Sequence, residues 1–113
     1  MIYHLAKEKD WLDASTGGDG YTGGAQDRRD GFIHLSTRTQ ILESAARHRA
    51  GERDLLLLAI EDAALGAALR WEKSRGGDLF PHCFGPLSLT AVVWTAPLPV
   101  ASDNRHIFPD PLD

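Results

Sequence analysis

Six consecutive apolar residues, Leu55 to Ile60, form the longest wholly apolar run of the chain. A bilayer-spanning helix takes about 20 such residues, so the run is far too short to cross a membrane. Because no polar residue interrupts it, a strand built from it must be buried on both faces. The run therefore predicts the central strand of a sheet that is covered on both sides.

Length, composition and charge restrict the number of domains and the class of ligand that we expect. The chain has 113 residues, 42% of them hydrophobic and 25% charged, and a net charge of -4. This predicts a single domain over residues 1–113, with an irregular, proline-containing tail from about residue 101. The acidic balance argues against a general DNA or acidic-membrane binder. The single cysteine, Cys83, excludes an intrachain disulfide, and no signal peptide is visible, so we expect a cytoplasmic location.

Apolar and turn patterns predict the element order β-α-β-α-β-β-β. The connections after Ile60 are too short for repeated right-handed crossovers, which favours an α+β domain with a mainly antiparallel sheet and two main helices. The predicted strands are Ile2–Leu5, the stretch around Ile33, Leu55–Ile60, Ala68–Glu72 and Leu89–Ala96 with its core at Val92, Val93 and Trp94. The predicted helices are Lys7–Ser15 and Arg38–Ala50.

Two segments are predicted to lack regular structure. Gly17–Arg29 contains five of the eleven glycines and no apolar period, which indicates a loop. It is either a mobile lid or a plain surface loop, and we favour the surface loop. Leu79–Leu87 contains two prolines and a glycine, which favours a shaped turn over a long regular element.

The stretch Gly31–Thr37 combines a short strand with a helix start. Alternation places Phe32 and His34 on one strand face, and Ile33 and Leu35 on the other. Thr37 and Gln40 have the spacing of a capping box, so the stretch is expected to lead directly into the helix. His34 is thus predicted to lie at a well-defined strand–helix junction.

Three histidines lie in apolar, structured surroundings: His4, His34 and His82. Imidazole is both a donor and an acceptor near neutral pH, so three such groups could share one ligand cleft. Three separately bonded histidines are an equally weighted interpretation. A metal site including Cys83 lacks any close ligand spacing, and a lone cysteine in such a turn is more often an apolar filler than a nucleophile.

Arg70, Trp71 and Glu72 form a charged–aromatic–charged triple at a probable strand end. Alternation puts Arg70 and Glu72 on one face. The triple indicates either a surface ion pair or a functional group in which Glu72 contacts a ribose hydroxyl or acts as a base and Trp71 walls a pocket.

Several ordered blocks are similar to the bacterial family called domain of unknown function 952. The blocks are Ile2-Tyr3-His4, Trp11, Gly31–Thr37 with Gln40, Asp54–Leu58, Leu69–Glu72, Leu79–His82 and Gly85–Leu87. The chain departs from the family at Cys83-Phe84, where an aliphatic residue and Tyr are more usual. The resemblance implies an ADP-ribosyltransferase-like fold, a split α+β sheet with a cleft for NAD.

Within that fold group, Tyr3-His4 resembles the first-strand motif of the RNA 2'-phosphotransferases, and Ile33-His34-Leu35-Ser36 resembles a later histidine strand. By this analogy His4 would hold the nicotinamide ribose or its amide, and His34 would contact cofactor or phosphate. Leu5-Ala6 replaces the Gly-Thr that follows the first motif.

The leading hypothesis is a protein that binds NAD or another ADP-ribose-containing nucleotide and transfers or hydrolyses it. The alternative is a non-catalytic module that binds a small ligand; no metal is expected, and the oligomeric state stays open. The candidate catalytic residues are His34, Glu72 and His82. The candidate cofactor-binding residues are Tyr3, His4, Ser36, Thr37, Trp71 and Phe80.

Overall fold

The structure, a computed structural model, describes residues 1–112, with Arg75 described by its backbone alone. The strands are β1 (Ile2–Lys7), β2 (Ile33–His34), β3 (Leu55–Ile60), β4 (Leu69–Lys73), β5 (Leu79–Cys83) and β6 (Val92–Pro97). The α-helices are α1 (Glu8–Gly17), α2 (Ala25–Asp30) and α3 (Ile41–His48). Short 3-10 helices occupy Asp62–Ala68, Arg75–Gly77 and Leu89–Ala91.

The first sheet has the strand order β1-β3-β6, and both of its pairings are antiparallel. All six residues of β3 are buried, as the uninterrupted apolar run predicts. Leu56, Leu58 and Ile60 face one hydrophobic cluster, while Leu55, Leu57 and Ala59 face a second cluster that includes residues of α3. The central position and the two covering layers predicted for this strand are therefore confirmed.

The second sheet has the order β2-β5-β4, again fully antiparallel. The prediction of a turn at Leu79–Leu87 is wrong, because Leu79–Cys83 is the central strand of this sheet. Its proline is tolerated because β2 is only two residues long. Pro81 accepts a bond from Leu35 N–H on that side, so its missing N–H removes no bond to β4.

The two sheets meet where the chain leaves β2. Tyr3 of β1 and Ser36 exchange two backbone hydrogen bonds, each with an N–O distance of 2.8 Å. The stretch that pairs with β5 at His34 therefore pairs with β1 two residues later. This arrangement, two small antiparallel sheets with a few helices, confirms the predicted α+β class and the split sheet.

The Gly17–Arg29 segment was predicted to be a loop, but it contains most of α2 and an isolated bridge between Tyr21 and Leu87. The helix forms because Gly24 begins it and Gly31, with a φ of 86°, ends it. The segment is therefore a packed part of the domain, and Tyr21 is 1% exposed.

Other bounds differ at helix and strand ends. The predicted helix Arg38–Ala50 is shorter, because residues 38–40 form a turn before α3 begins at Ile41. The capping-box contact is present in one direction, since Thr37 N–H donates to Gln40 Oε1 at 3.0 Å. In β6, burial alternates and Val93 is 55% exposed, so Val93 is not the core residue that was predicted.

Beyond β6, the chain to residue 112 forms only an isolated bridge between Val100 and His106. Asp113, the last residue of the predicted tail, lies outside the described residues. No helix within residues 1–112 has the length and apolar character that a bilayer crossing requires.

Candidate functional site

The three histidines lie on three strands beside the junction of the sheets: His4 on β1, His34 on β2 and His82 on β5. They border a cleft of about 790 Å³ that extends between β1, α2 and α3. Six of the nine predicted site residues line this cleft: Tyr3, His4, His34, Ser36, Phe80 and His82. The hypothesis that the histidines share one cleft is thus consistent with their positions.

His4 is a buried part of the cleft wall, with 3% of its surface exposed. Its Nδ1 lies 2.6 Å from the carbonyl oxygen of His34, so Nδ1 carries the proton and donates it. The hydroxyl of Tyr21 then donates to Nε2 at 2.7 Å. Burial lowers the pKa of His4 against the opposing charge of Asp27, which keeps the ring neutral. Both nitrogens of His4 are consequently satisfied within the protein.

Asp27 is the hub of the polar network and is 6% exposed. Its carboxylate accepts bonds from Gly24 N–H at 2.8 Å, from His34 N–H at 3.0 Å and from His34 Nδ1 at 2.5 Å. Burial alone would raise the pKa of Asp27, but the hydrogen bonds that its carboxylate accepts from His34 and Gly24 outweigh burial and lower the pKa to about 2. Asp27 is therefore an ionised carboxylate that sets the orientation of the His34 ring.

His34 is the most accessible of the three histidines, with 38% of its side chain exposed. Its Nε2 lies 3.1 Å from Oδ2 of Asp30, so both ring nitrogens face carboxylates. The Phe32 ring packs 4.6 Å from the His34 ring, centroid to centroid. The predicted alternation in this stretch is confirmed, since Ile33 and Leu35 point into the core.

His82 forms a second histidine–carboxylate pair. Its Nδ1 lies 2.7 Å from Oε1 of Glu72, while its Nε2 has no hydrogen-bond partner within the described part of the chain. Phe32 stacks on the His82 ring with centroids 4.1 Å apart. The centroids of His34 and His82 are 5.8 Å apart, which places two imidazoles close enough to contact one small ligand.

Three predicted site residues lie outside the cleft lining. Glu72 reaches the cleft only through His82. Trp71 points to the opposite face of β4 and is 45% exposed. Thr37 sits at the turn that leads into α3, where its backbone N–H bonds Gln40.

Sequence reasoning missed Tyr21, Asp27 and Asp30, all in or beside the segment predicted to be a surface loop. The signal that could have revealed the helix was local: six polar or helix-compatible residues between Gly24 and Gly31, with Asp27 three positions after Gly24. No sequence pattern links Asp27 to His34 or Tyr21 to His4, because these contacts depend on how α2 and β1 pack.

The cationic side chains at the cleft are already engaged. Lys7 and Arg49 bond Glu52 at 3.1 and 3.2 Å, and Arg28 donates to the carbonyl oxygen of Gly23 at 2.6 Å. The cleft therefore presents histidines and small polar groups to a ligand more than free positive charge.

The metal and nucleophile alternatives gain no support. No group of three potential ligands among His, Cys, Asp and Glu is placed to hold a metal within residues 1–112. Cys83 is 1% exposed on the core-facing side of β5, opposite His82, and burial raises the pKa of its thiol. The burial of Cys83 fits its predicted role as a small apolar filler.

Fold and site together define an α+β domain made of two three-stranded antiparallel sheets, with a histidine-lined cleft at their junction. The chain belongs to the family of proteins of unknown function DUF952, whose model matches residues 5–95. The resemblance of the sequence blocks to this family is thereby confirmed.

Solved structures of one bacterial protein are similar over nearly the whole chain. The crystal structure of protein CC0527 from Caulobacter crescentus is 40% identical, has a TM-score of 0.92, and the match covers 98% of this chain and 96% of that one. The solution NMR structure of CC0527 is 41% identical with a TM-score of 0.80, covering 92% and 89%. No curated protein matches the chain.

Proposed function

We propose that the cleft binds NAD or another nucleotide that contains ADP-ribose. The observation that carries this proposal is the convergence of His4, His34 and His82 on one cleft at the junction of the two sheets. The sequence resemblance to ADP-ribosyltransferase-like proteins implies a nucleotide cleft in a split sheet. The position of the histidines supports placing that cleft here.

The size and lining of the cleft suit such a ligand. Its volume of about 790 Å³ falls in the range of roughly 300–1,000 Å³ that is usual for small-molecule sites. Nε2 of His82 is available to bond a ribose hydroxyl, the partly exposed ring of His34 borders the same cleft, and Phe80 offers an apolar wall. His4 supports the cleft indirectly, because its Nδ1 bonds the carbonyl oxygen of His34 and so fixes the backbone there.

In the catalytic form of the proposal, NAD is hydrolysed with water as the acceptor. The bond between the ribose C1' and nicotinamide breaks, and its electron pair leaves with nicotinamide. The water oxygen bonds to C1', and the water proton passes to Nε2 of His82. Glu72 holds Nδ1 of the same ring and balances the positive charge that the ring acquires, so Glu72 acts through His82.

Isothermal titration calorimetry with NAD and with ADP-ribose tests the binding. We expect the affinity to fall at least tenfold, or about 1.4 kcal/mol, in His34→Ala and His82→Gln. Arg105→Gln is the control, because Arg105 is 74% exposed in its side chain and lies outside the cleft lining. Heat signals that are absent in the wild type, or unchanged in both histidine variants, would refute the proposal.

A non-catalytic binding module is the second candidate. It is favoured by His4 and Asp27, whose polar atoms are satisfied within the protein and so shape the cleft without reacting. A nicotinamide-release assay separates the two. Release that depends on His82 supports hydrolysis, while binding without release supports the module.

A further inference from the structure

A row of three polar side chains crosses the second sheet. In the strand register His34 pairs with His82, and His82 pairs with Arg70, so the three residues lie opposite one another on one face. Directly opposed residues have Cβ atoms about 5 Å apart. The face that carries this row is the one turned away from the core, since Ile33, Pro81 and Cys83 of the same strands face inward.

The two histidines of the row differ in the hydrogen-bond partners of their ring nitrogens. Nδ1 of His82 is bound to Glu72, and Nε2 has no partner among the described residues, so Nε2 is an available acceptor in the tautomer that donates Nδ1–H to Glu72. His34 faces Asp27 with Nδ1 and Asp30 with Nε2, so both nitrogens can donate when the ring carries two protons. One imidazole is thus arranged to accept a proton and the other to give one.

Arg70 supplies the positive charge that the cleft itself lacks. Its guanidinium lies 4.7 Å from the ring centroid of Phe84 and is exposed. It forms no ion pair with any of residues 1–112. Strand pairing with His82 places Arg70 on the same sheet face as the two imidazoles, and the Phe32 ring packs against both His82 and Phe84. An exposed, planar cation on this face is suited to bind the non-bridging oxygens of a phosphate.

We propose that the His34–His82–Arg70 row is a general acid–base site for hydrolysis of a phosphodiester in a small ribonucleotide. This goes beyond the cleavage of NAD. Nicotinamide leaves as a neutral molecule and needs no proton, whereas the alkoxide that leaves a phosphodiester does. A paired acid and base therefore match a phosphodiester better than an N-glycosidic bond, and the proposal does not require NAD binding.

For a nucleoside 2',3'-cyclic phosphate the step balances with water alone. The water oxygen bonds to phosphorus, and its proton passes to Nε2 of His82. One bridging P–O bond breaks, and its electron pair goes to the ribose oxygen. That oxygen displaces the carboxylate of Asp30 from Nε2 of His34 and takes the proton from this nitrogen. Arg70 binds the phosphate throughout. The product is a nucleoside monophosphate, and exchange with solvent restores both histidines.

Charge favours a small substrate over a polymer. The chain carries a net charge of -4, and Asp27, Asp30 and Glu72 lie around the row. These carboxylates repel an extended polyanion, whereas a single phosphate needs only Arg70 and a ring N–H of His34. Phe80, two residues from His82 on the same face of β5, lies where the sugar or base of a mononucleotide would extend.

The test is hydrolysis of adenosine 2',3'-cyclic phosphate by the full chain, followed by chromatography of the monophosphate. Wild type is expected to turn over, with kcat about 100-fold lower or more in His82→Gln and in His34→Gln. Arg70→Gln is expected to lower kcat/KM at least tenfold, with Arg70→Lys in between. Arg105→Gln is the matched arginine control, with side chain 74% exposed.

Only variants whose melting temperature equals that of the wild type are compared. Because Arg70 is exposed, Arg70→Gln is expected to fold, so at least one variant of the row can be assayed. Absence of hydrolysis in the wild type overturns the proposal, as does hydrolysis that survives in His82→Gln or is indifferent to Arg70→Gln. Either result leaves the calorimetric binding of NAD as a separate question, so the two proposals fail independently.

Discussion

Oδ1 of Asp27 lies 2.5 Å from Nδ1 of His34, and the same oxygen accepts the backbone N–H of His34 at 3.0 Å. One carboxylate thus holds both the ring and the backbone of a histidine that lies at the mouth of the cleft. Because Asp27 belongs to α2 and His34 to β2, this contact ties the helix of the glycine-rich segment to the second sheet. The geometry of the cleft depends on it.

Asp27→Asn is expected to destabilise the protein by about 2–4 kcal/mol, since it weakens charge-assisted bonds in a buried site. Urea denaturation measures the free energy of unfolding. Asp13→Asn is the control, because Asp13 is 68% exposed and forms a surface ion pair with Lys9, so its loss should cost less than about 1 kcal/mol. Equal costs for the two variants would contradict the role of Asp27 as the hub.

The contribution of Asp27 should also depend on pH. Its pKa in the folded protein is about 2, below the ordinary value of 3.8, so the unfolded chain binds protons first on acidification. The stabilisation, about 2 kcal/mol, is complete above the ordinary value and is lost as the pH falls towards 2. Unfolding free energies of wild type and Asp27→Asn should therefore converge between pH 5 and pH 2. A gap that stays constant over this range would show that the charge of Asp27 is not the cause.

Tyr21→Phe removes the hydroxyl that donates to Nε2 of His4. Because His4 is 3% exposed, its nitrogen is left without a partner, which should cost about 1–3 kcal/mol of unfolding free energy. Ser15→Ala, which removes an exposed bond to the carbonyl of Leu12, is the control and should cost under about 0.5 kcal/mol. A loss for Tyr21→Phe no larger than that of the control would mean that this buried bond is not important.

Gly23→Ala should disrupt the site more than Gly18→Ala does. Both glycines have a positive φ, 88° and 84°, so each substitution strains the backbone by about 1 kcal/mol. Only at Gly23 would a Cβ also lie 2.5 Å from Cβ of Asp27, whereas at Gly18 nothing lies within 4 Å. We expect Gly23→Ala to lower the melting temperature further and to shift the imidazole NMR signals of His34. Identical effects would exclude a close approach of Gly23 to Asp27.

The spacing of apolar residues and the length of apolar runs correctly predicted the strands that are buried on one face or on both faces. The apolar run at Leu55–Ile60 required two covering layers, and the alternation at Phe32–Leu35 required one buried face. Both were correct because the side-chain period of a strand directly reflects what lies on its two faces. Leu79–Cys83 was misassigned because Pro81 normally excludes a central strand, and the sequence does not show that the neighbouring strand ends beside it.

The sequence by itself determined the α+β class, the central strand, the three histidine-bearing segments and, through ordered motif blocks, the family. Only the tertiary structure decided which groups meet: Tyr21 with His4, Asp27 with His34, and Glu72 with His82. The physical reason is the range of the interactions. Strand and helix patterns arise from neighbours a few residues apart, whereas hydrogen bonds between side chains 7 to 17 residues apart depend on the packing of whole elements.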